Sequence, residues 1–190
     1  MQLMEDKILR EGTVLPGNIL KVGSFLNQQL DVKFLHEIAK ELARLFEKDG
    51  VDKVVTIEAS GIALATLTAL ELGVPCVVVK KHASANLPKD VYTAEISSFT
   101  HKNTYTAVVA KDFIREGERV LIVDDFLAVG NAIAGLRSLL AQAGATLAGC
   151  GIAIEKSFQG GGDALRAEGV HVESLAMVDS MTDTDIAFRH

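Results

Sequence analysis

The sequence predicts a single α/β domain built around a mostly parallel central β-sheet that is flanked by helices. Short β-branched apolar runs alternate with helical patterns, which is the order expected of a parallel sheet covered on both faces. Glycine and polar residues punctuate these segments, as turns do. The 190-residue length and 48% hydrophobic content suit one domain with a substantial core, and no internal repeat or linker indicates a second domain.

The first 80 residues contain two helical patterns and then a strand, a helix and a strand. Residues 1–11 form an amphipathic pattern that ends at Gly12 and the Pro16–Gly17 turn, and residues 18–27 are expected to be irregular or extended. Asp31 is a favoured N-cap for a helix with apolar residues at helical spacing. We expect helices over 31–48 and 62–72, the latter closed by Gly73, and strands over 51–57 and 74–79.

Residues 84–111 interrupt this alternation. Two β-rich segments, 91–99 and 104–110, favour an antiparallel hairpin, which is either a mobile flap over a site or a plain surface hairpin. The rest of the chain returns to alternating elements. We expect strands over 120–123, 146–154 and 170–178, and helices over 132–142 and 162–167.

Residues 120–132, Val-Leu-Ile-Val-Asp-Asp-Phe-Leu-Ala-Val-Gly-Asn-Ala, carry the strongest chemical signal. An apolar strand leads into Asp124 and Asp125, then a loop containing Gly130 and the start of a helix. A helix N-terminus favours anions because its first N–H groups are unpaired and its dipole is positive there. Two carboxylates would repel a bare phosphate, so the pattern predicts a ligand that also offers hydroxyls or a divalent cation, such as a sugar phosphate.

Two further polar segments follow predicted strands, at 58–61 and 80–82. Ligands of parallel α/β sheets bind at the carboxyl ends of strands, where all three segments should meet. A turn of small residues lets backbone N–H groups approach an anion, and a lysine pair adds positive charge. Each segment alone also fits a plainer role, as a turn, a helix start or a pair of solvated charges.

Composition excludes several classes of function. The net charge of −6 argues against nucleic-acid and anionic-membrane partners. No apolar stretch is long enough to span a bilayer, and the N-terminus lacks a secretion signal. Cys76 and Cys150 lie in apolar runs without metal-ligand spacing, so we expect reduced core thiols and a cytoplasmic location.

The 120–132 segment resembles the 5-phospho-α-D-ribose 1-diphosphate (PRPP) signature of type I phosphoribosyltransferases. Segments 14–31, 55–63 and 151–159 resemble the bacterial xanthine branch of that family, and the similarity extends over essentially the whole chain. The resemblance implies the type I phosphoribosyltransferase fold, with a small hood and a flexible β-hairpin flap.

In domain terms, the resemblance implies one phosphoribosyltransferase domain over 1–190, in which 1–30 and 155–190 form a base-binding hood and 84–111 form the flap. The implied reaction converts xanthine and PRPP to xanthosine 5′-monophosphate and diphosphate in purine salvage. It further implies Mg²⁺ carried by PRPP, with no direct protein ligand, and a homodimer.

The resemblance also assigns site residues. The catalytic acids, facing the ribose hydroxyls, are Asp124 and Asp125. The residues that cradle the 5′-phosphate are Ala128, Val129, Gly130, Asn131 and Ala132. Those on the diphosphate side are Ala59, Ser60, Gly61 and Lys81. The xanthine-binding residues are Leu20, Asn27 and Lys156.

The loop departs from the broad family pattern because Ala128, Val129 and Ala132 replace the usual Thr or Ser hydroxyls. Phosphate binding would then depend on backbone N–H groups, with Asn131 as the side-chain helper. Phe158 follows Lys156 and could stack on the base or pack in the core.

Two alternatives remain at this point. One is an enzyme of the same family for hypoxanthine, guanine or adenine. The other is a PRPP-sensing regulator of the same fold that binds nucleic acid, which would need a basic surface or an added DNA-binding segment. The acidic chain disfavours the second.

Overall fold

A computed structural model describes residues 1–82, 88–97, 104–182 and 184–190. The helices are α1 (Gln2–Glu11), α2 (Val32–Leu45), α3 (Ile62–Leu72), α4 (Asn131–Ala143) and α5 (Gly161–Ala167). The strands are β1 (Thr13–Leu15), β2 (Ile19–Lys21), β3 (Lys53–Ile57), β4 (Cys76–Val79), β5 (Val91–Ser97), β6 (Thr104–Ala110), β7 (Arg119–Leu127), β8 (Thr146–Lys156), β9 (Val172–Met181) and β10 (Ile186–Phe188). None of the helices in these ranges is long and apolar enough to cross a membrane.

The central sheet has six strands in the order β10-β9-β8-β7-β3-β4. The strands from β9 to β4 pair in parallel, and β10 pairs antiparallel with β9. The prediction of a mostly parallel sheet flanked by helices is therefore confirmed. Two short pairings were not predicted from the sequence, that of β10 with β9 and that of β1 with β2.

Buried side chains form a core on each face of the sheet. One core contains Ile8 of α1, Leu35 of α2 and Leu64 of α3. The other contains Leu136 of α4 and Leu165 of α5, together with side chains of β5 and β6. Burial of both faces explains why the strands read as continuous apolar runs rather than alternating ones.

Local signals set the helix ends. The Asp31 side chain accepts a hydrogen bond from the Phe34 backbone N–H at 3.2 Å, which confirms it as the cap of α2. That helix ends at Leu45, three residues before the predicted end. Gly73 adopts the left-handed conformation with φ of 69° and ends α3 as predicted.

Strands β5 and β6 pair antiparallel from Val91–Ala110 to Ser97–Thr104, as predicted. The buried Ile96 side chain packs where α4 has Gly135, since a Cβ there would lie 2.3 Å from Ile96 Cγ1. The described part of the hairpin is thus anchored to α4. Residues 84–87 and 98–103 of the predicted flap lie outside the described residues, so its mobility stays a prediction.

Strand β7 does not end at residue 123. It continues through Asp124 and Asp125 to Leu127, because β8 also runs longer than predicted and pairs with it up to Glu155. The prediction that the acid pair follows the strand is therefore wrong. Both acids lie in the last four residues of β7, where pairing with β8 fixes their backbone.

Candidate functional site

The predicted phosphate loop, residues 128–132, joins β7 to α4. Gly130 occupies the N-cap of α4 with φ of 92°, a left-handed conformation that favours glycine. Because glycine has no capping side chain, the first N–H groups of α4 remain available to an anion. A cleft at this point is lined by the loop together with Ser97, Tyr105 and Phe126.

The Asn131 side chain ties the loop to the hairpin. Its Nδ2 donates to the backbone oxygen of Ser97 at 2.9 Å. Its predicted contribution to phosphate binding stays a prediction, since in this structure that amide group is directed at β5.

The back of the phosphate loop is in direct contact with the start of α5. The Gly161 N–H donates to the backbone oxygen of Ala128 at 3.1 Å. A Cβ on Gly161 would lie 2.3 Å from that oxygen, 2.7 Å from the Val129 carbonyl carbon and 2.9 Å from the Gly130 nitrogen. Only glycine therefore allows α5 to support the loop at this distance.

Asp124 is buried, at 7% exposure. Burial and the adjacent charge of Asp125 raise the pKa of the Asp124 carboxyl well above its usual value. Its Oδ1 accepts a hydrogen bond from the Asp125 backbone N–H at 2.9 Å. A Cβ on Gly61 would lie 2.7 Å from that Oδ1 and 2.4 Å from Thr56 Oγ1. The turn after β3 can therefore approach Asp124 this closely only because residue 61 is glycine.

Asp125 joins two of the predicted binding segments. Its Oδ2 accepts from Asn27 Nδ2 at 3.1 Å, and its Oδ1 accepts from Ser60 Oγ at 2.9 Å. Asn27 and Ser60 lie 98 and 65 residues away along the chain. One carboxylate therefore contacts both the predicted base side and the predicted diphosphate side.

The predicted diphosphate turn, residues 59–61, follows β3 after a cis Glu58–Ala59 peptide. The Glu58 carboxylate accepts from the Lys81 backbone N–H at 2.6 Å and from Lys80 Nζ at 3.2 Å. Burial opposes ionisation of Glu58, but these hydrogen bonds hold its pKa below the usual value. Lys81 Nζ lies 5.4 Å from the ring centre of Tyr105. Burial and the charge of Asp124 raise the Tyr105 pKa.

The three predicted base-binding residues lie in one cleft, which we call the base cleft. The described residues that line it are Gly17, Asn18, Ile19, Leu20, Asn27, Ser60, Asp125, Phe126, Ala128, Lys156 and Gln159. Lys156 Nζ donates to the Asn18 backbone oxygen at 2.8 Å and lies 5.6 Å from the ring centre of Phe126. Burial lowers the pKa of Lys156.

The aromatic residue of the base cleft differs from the one considered from the sequence. Phe158 is 37% exposed and lies outside the described residues that line the cleft, whereas Phe126 lines it. Phe126 was not predicted from the sequence, although it stands between Asp125 and the phosphate loop, two segments expected at the sheet edge.

Asp125 is chemically suited to face a substrate-bound magnesium ion, whereas Asp124 is buried and does not line the base cleft. Mg²⁺ favours oxygen ligands and is commonly held by one or two carboxylates together with substrate phosphates. Asp125 lines the base cleft beside the phosphate loop and fits that pattern. Across the part of the chain that the structure describes, no three His, Cys, Asp or Glu side chains converge as a metal site.

Comparison with known proteins identifies the family. Residues 24–167 match the phosphoribosyl transferase domain. The chain is 50% identical to xanthine phosphoribosyltransferase of Lachnoclostridium phytofermentans, over 100% of this chain and 98% of that protein. It is 52% identical to xanthine phosphoribosyltransferase 1 of Clostridium perfringens strain 13, over the full length of both. The chain belongs to the xanthine phosphoribosyltransferase family.

Solved structures confirm the fold expected of a phosphoribosyltransferase. Adenine phosphoribosyltransferase from Thermoanaerobacter pseudethanolicus has a TM-score of 0.74 at 25% identity, covering 92% of this chain and 99% of that one. The Giardia lamblia enzyme complexed with 9-deazaadenine has a TM-score of 0.79 at 22% identity, covering 93% and 98%. The type I phosphoribosyltransferase fold predicted from the sequence is therefore correct.

Proposed function

We propose that this chain transfers the 5-phosphoribosyl group of PRPP to xanthine, releasing diphosphate and forming xanthosine 5′-monophosphate for purine salvage. The observation that carries the proposal is the base cleft, in which Leu20, Asn27 and Lys156 meet Asp125 next to the phosphate loop. Full-length relatives at about 50% identity bear the same activity in their names.

Displacement of diphosphate from ribose builds positive charge on the sugar. The protein contributes by holding the two substrates in line and by stabilising that charge. The unpaired N–H groups at the start of α4 would bind the 5′-phosphate, and the diphosphate turn with Lys81 would bind the leaving group. Asp125 lies between them and would face the ribose hydroxyls and the reacting carbon.

Mg²⁺ bound with PRPP would neutralise charge on the departing diphosphate. The ion would be carried by PRPP, and Asp125, which lines the base cleft, is the carboxylate that would face it. The Asp125 oxygens already accept hydrogen bonds from Ser60 and Asn27, which keep the carboxylate oriented toward the cleft.

Base selection would depend on Asn27 and Lys156. One N–H of the Asn27 amide points at Asp125, which leaves its second N–H and its carbonyl oxygen for the 2-oxo edge of xanthine. Lys156 is a pure donor beside the ring of Phe126 and suits an acceptor atom of the purine. Phe126 offers an aromatic face for stacking.

The decisive experiment is xanthine-dependent release of diphosphate from PRPP in the presence of Mg²⁺. Hypoxanthine, guanine and adenine are run separately and as competitors, because relatives of known structure are named adenine phosphoribosyltransferases. Higher kcat/KM with any of the other three bases would overturn the substrate assignment. Nucleic-acid binding without turnover would instead favour the regulator.

A homodimer in the cytoplasm is part of the proposal. Exposed apolar side chains on α1 and at the start of α2, namely Leu3, Leu9 and Val32, offer surface for a second copy. Light scattering at micromolar concentration tests the assembly, and a monomeric mass with full activity would contradict it.

The proposed base-binding hood is supported by the hydrogen bond from Lys156 to Asn18, which joins residues 155–190 to residues 1–30.

A further inference from the structure

Glu155 stands next to the base-binding Lys156 at the end of β8, and its side chain is fully buried, at 0% exposure. Its two oxygens accept a bidentate pair of hydrogen bonds from Arg166 of α5, at 2.9 and 2.8 Å. Ser174 of β9 also donates to it. Lys156 contacts Asn18 and Phe126 instead, because successive residues of a strand face opposite ways.

The helix held by Glu155 is the one that supports the phosphate loop. Arg166 lies in the last turn of α5, and Gly161 at its start contacts Ala128, Val129 and Gly130. The first turn of α5 also lies against the carboxylate, since a Cβ on Gly162 would be 2.1 Å from Glu155 Oε1. Glu155 therefore contacts α5 at both ends.

We infer that Glu155, through its fork with Arg166, is a positioning residue that sets the spacing between the base-binding Lys156 and the 5′-phosphate loop. Its backbone fixes the place of Lys156, and its carboxylate fixes the place of α5 and hence the back of the loop. The base and the 5′-phosphate attach to opposite ends of the nucleotide product, so this spacing determines whether both ends fit at once.

The chemistry of the pair supports a positioning role over a purely stabilising one. A carboxylate buried in a sheet costs desolvation free energy that its ion pair only offsets, so an apolar residue would serve stability as well. The planar guanidinium instead gives a fixed two-bond geometry that lysine cannot reproduce. The Arg166 guanidinium also lies 3.6 Å from Asp163 in the same helix, and these carboxylates raise its pKa.

A matched pair of substitutions tests the inference, which rests on the proposed function. Arg166→Lys keeps the charge but loses the fork with Glu155. Arg137→Lys is the control, because it makes the same residue change in an exposed pair in which Arg137 of α4 donates one hydrogen bond, at 2.7 Å, to Glu168 at the end of α5. KM for xanthine and KM for PRPP are measured for both variants, because KM does not depend on the fraction of folded enzyme.

We expect Arg166→Lys to raise both KM values at least about fivefold, because a displacement near 1 Å in a positioned site has large kinetic effects. Arg137→Lys should leave both within about twofold of the wild type, since it alters an exposed ion pair. Glu155→Gln should raise both KM values by a similar factor to Arg166→Lys. Unchanged KM values in Arg166→Lys, or a rise for one substrate only, would overturn the inference. If the wild-type chain prefers another purine, only the proposed function is overturned. The KM values of the variants are then compared with that purine in place of xanthine.

Discussion

Replacing Gly161 by Ala tests whether the phosphate loop binds through backbone geometry. The new Cβ would lie 2.3 Å from the Ala128 oxygen, and real Cβ atoms essentially never approach within 3.0 Å of another heavy atom. The start of α5 and the loop must therefore separate by about 0.7 Å, the difference between those two distances. All three contacted atoms are backbone, so a side-chain rotation cannot relieve the contact.

The displacement has two separate effects. Forcing a methyl group into a packed contact lowers the free energy of unfolding by about 1–3 kcal/mol. In a chain of this size, each kcal/mol lost lowers Tm by roughly 2–4 °C. The loop N–H groups would also move relative to the phosphate that we propose they bind, and a misplacement near 1 Å can cost about a hundredfold in a positioned site. We therefore expect KM for PRPP to rise by about 10- to 100-fold.

The assay is diphosphate release at saturating xanthine over a range of PRPP concentrations. Gly149→Ala is the matched control, because its Cβ would lie 2.7 Å from the His171 backbone oxygen and 2.5 Å from the Phe46 ring, near the opposite end of β8. It should lower Tm similarly and leave KM for PRPP unchanged. If Gly161→Ala lowers Tm while KM for PRPP stays within twofold, the loop is not held for phosphate by this contact.

Three further substitutions test the acids and the base side. Asp125→Asn should lower kcat by about a hundredfold or more, because in the proposed mechanism it removes the charge that faces the sugar. If neither this variant nor Asp124→Asn changes kcat, no essential carboxylate lies at the reacting centre. Asn27→Ala should lower kcat/KM for xanthine more than for hypoxanthine, whereas equal losses would reject its role in reading the 2-oxo group. Asp124→Asn should raise Tm, since burial raises the pKa of that carboxyl and its ionised form destabilises the folded chain. This gain should be larger at pH 8 than at pH 5, because the penalty appears as pH rises through the raised pKa, and a gain that shrinks with rising pH would contradict the assignment.

Local signals predicted much of the fold. Asp31 and Gly73 marked helix ends correctly because capping and left-handed turns depend on one or two residues. The end of β7 was mispredicted because two adjacent acids disfavour a strand locally, and only pairing with β8 keeps Asp124 and Asp125 in one.

The predicted base-binding residues do come together, but their environment could not be read from the sequence. Leu20, Asn27 and Lys156 share a cleft, as the family resemblance implied. The hydrogen bond from Asn27 to Asp125 spans 98 residues and has no local signature. The same holds for the pairing of Arg166 with Glu155, which forms only when α5 packs beside β8.

The two hydrogen bonds accepted by Asp125 have a consequence for how the binding of one substrate would change the affinity for the other. Asn27 and Ser60 each donate to a different oxygen of the same carboxylate. In the proposed mechanism, a base that alters the Asn27 contact would change the environment of PRPP at Asp125. By thermodynamic reciprocity, PRPP would then change the affinity for the base by the same factor. The two proposed substrates would thus be linked through a single side chain before any bond between them forms.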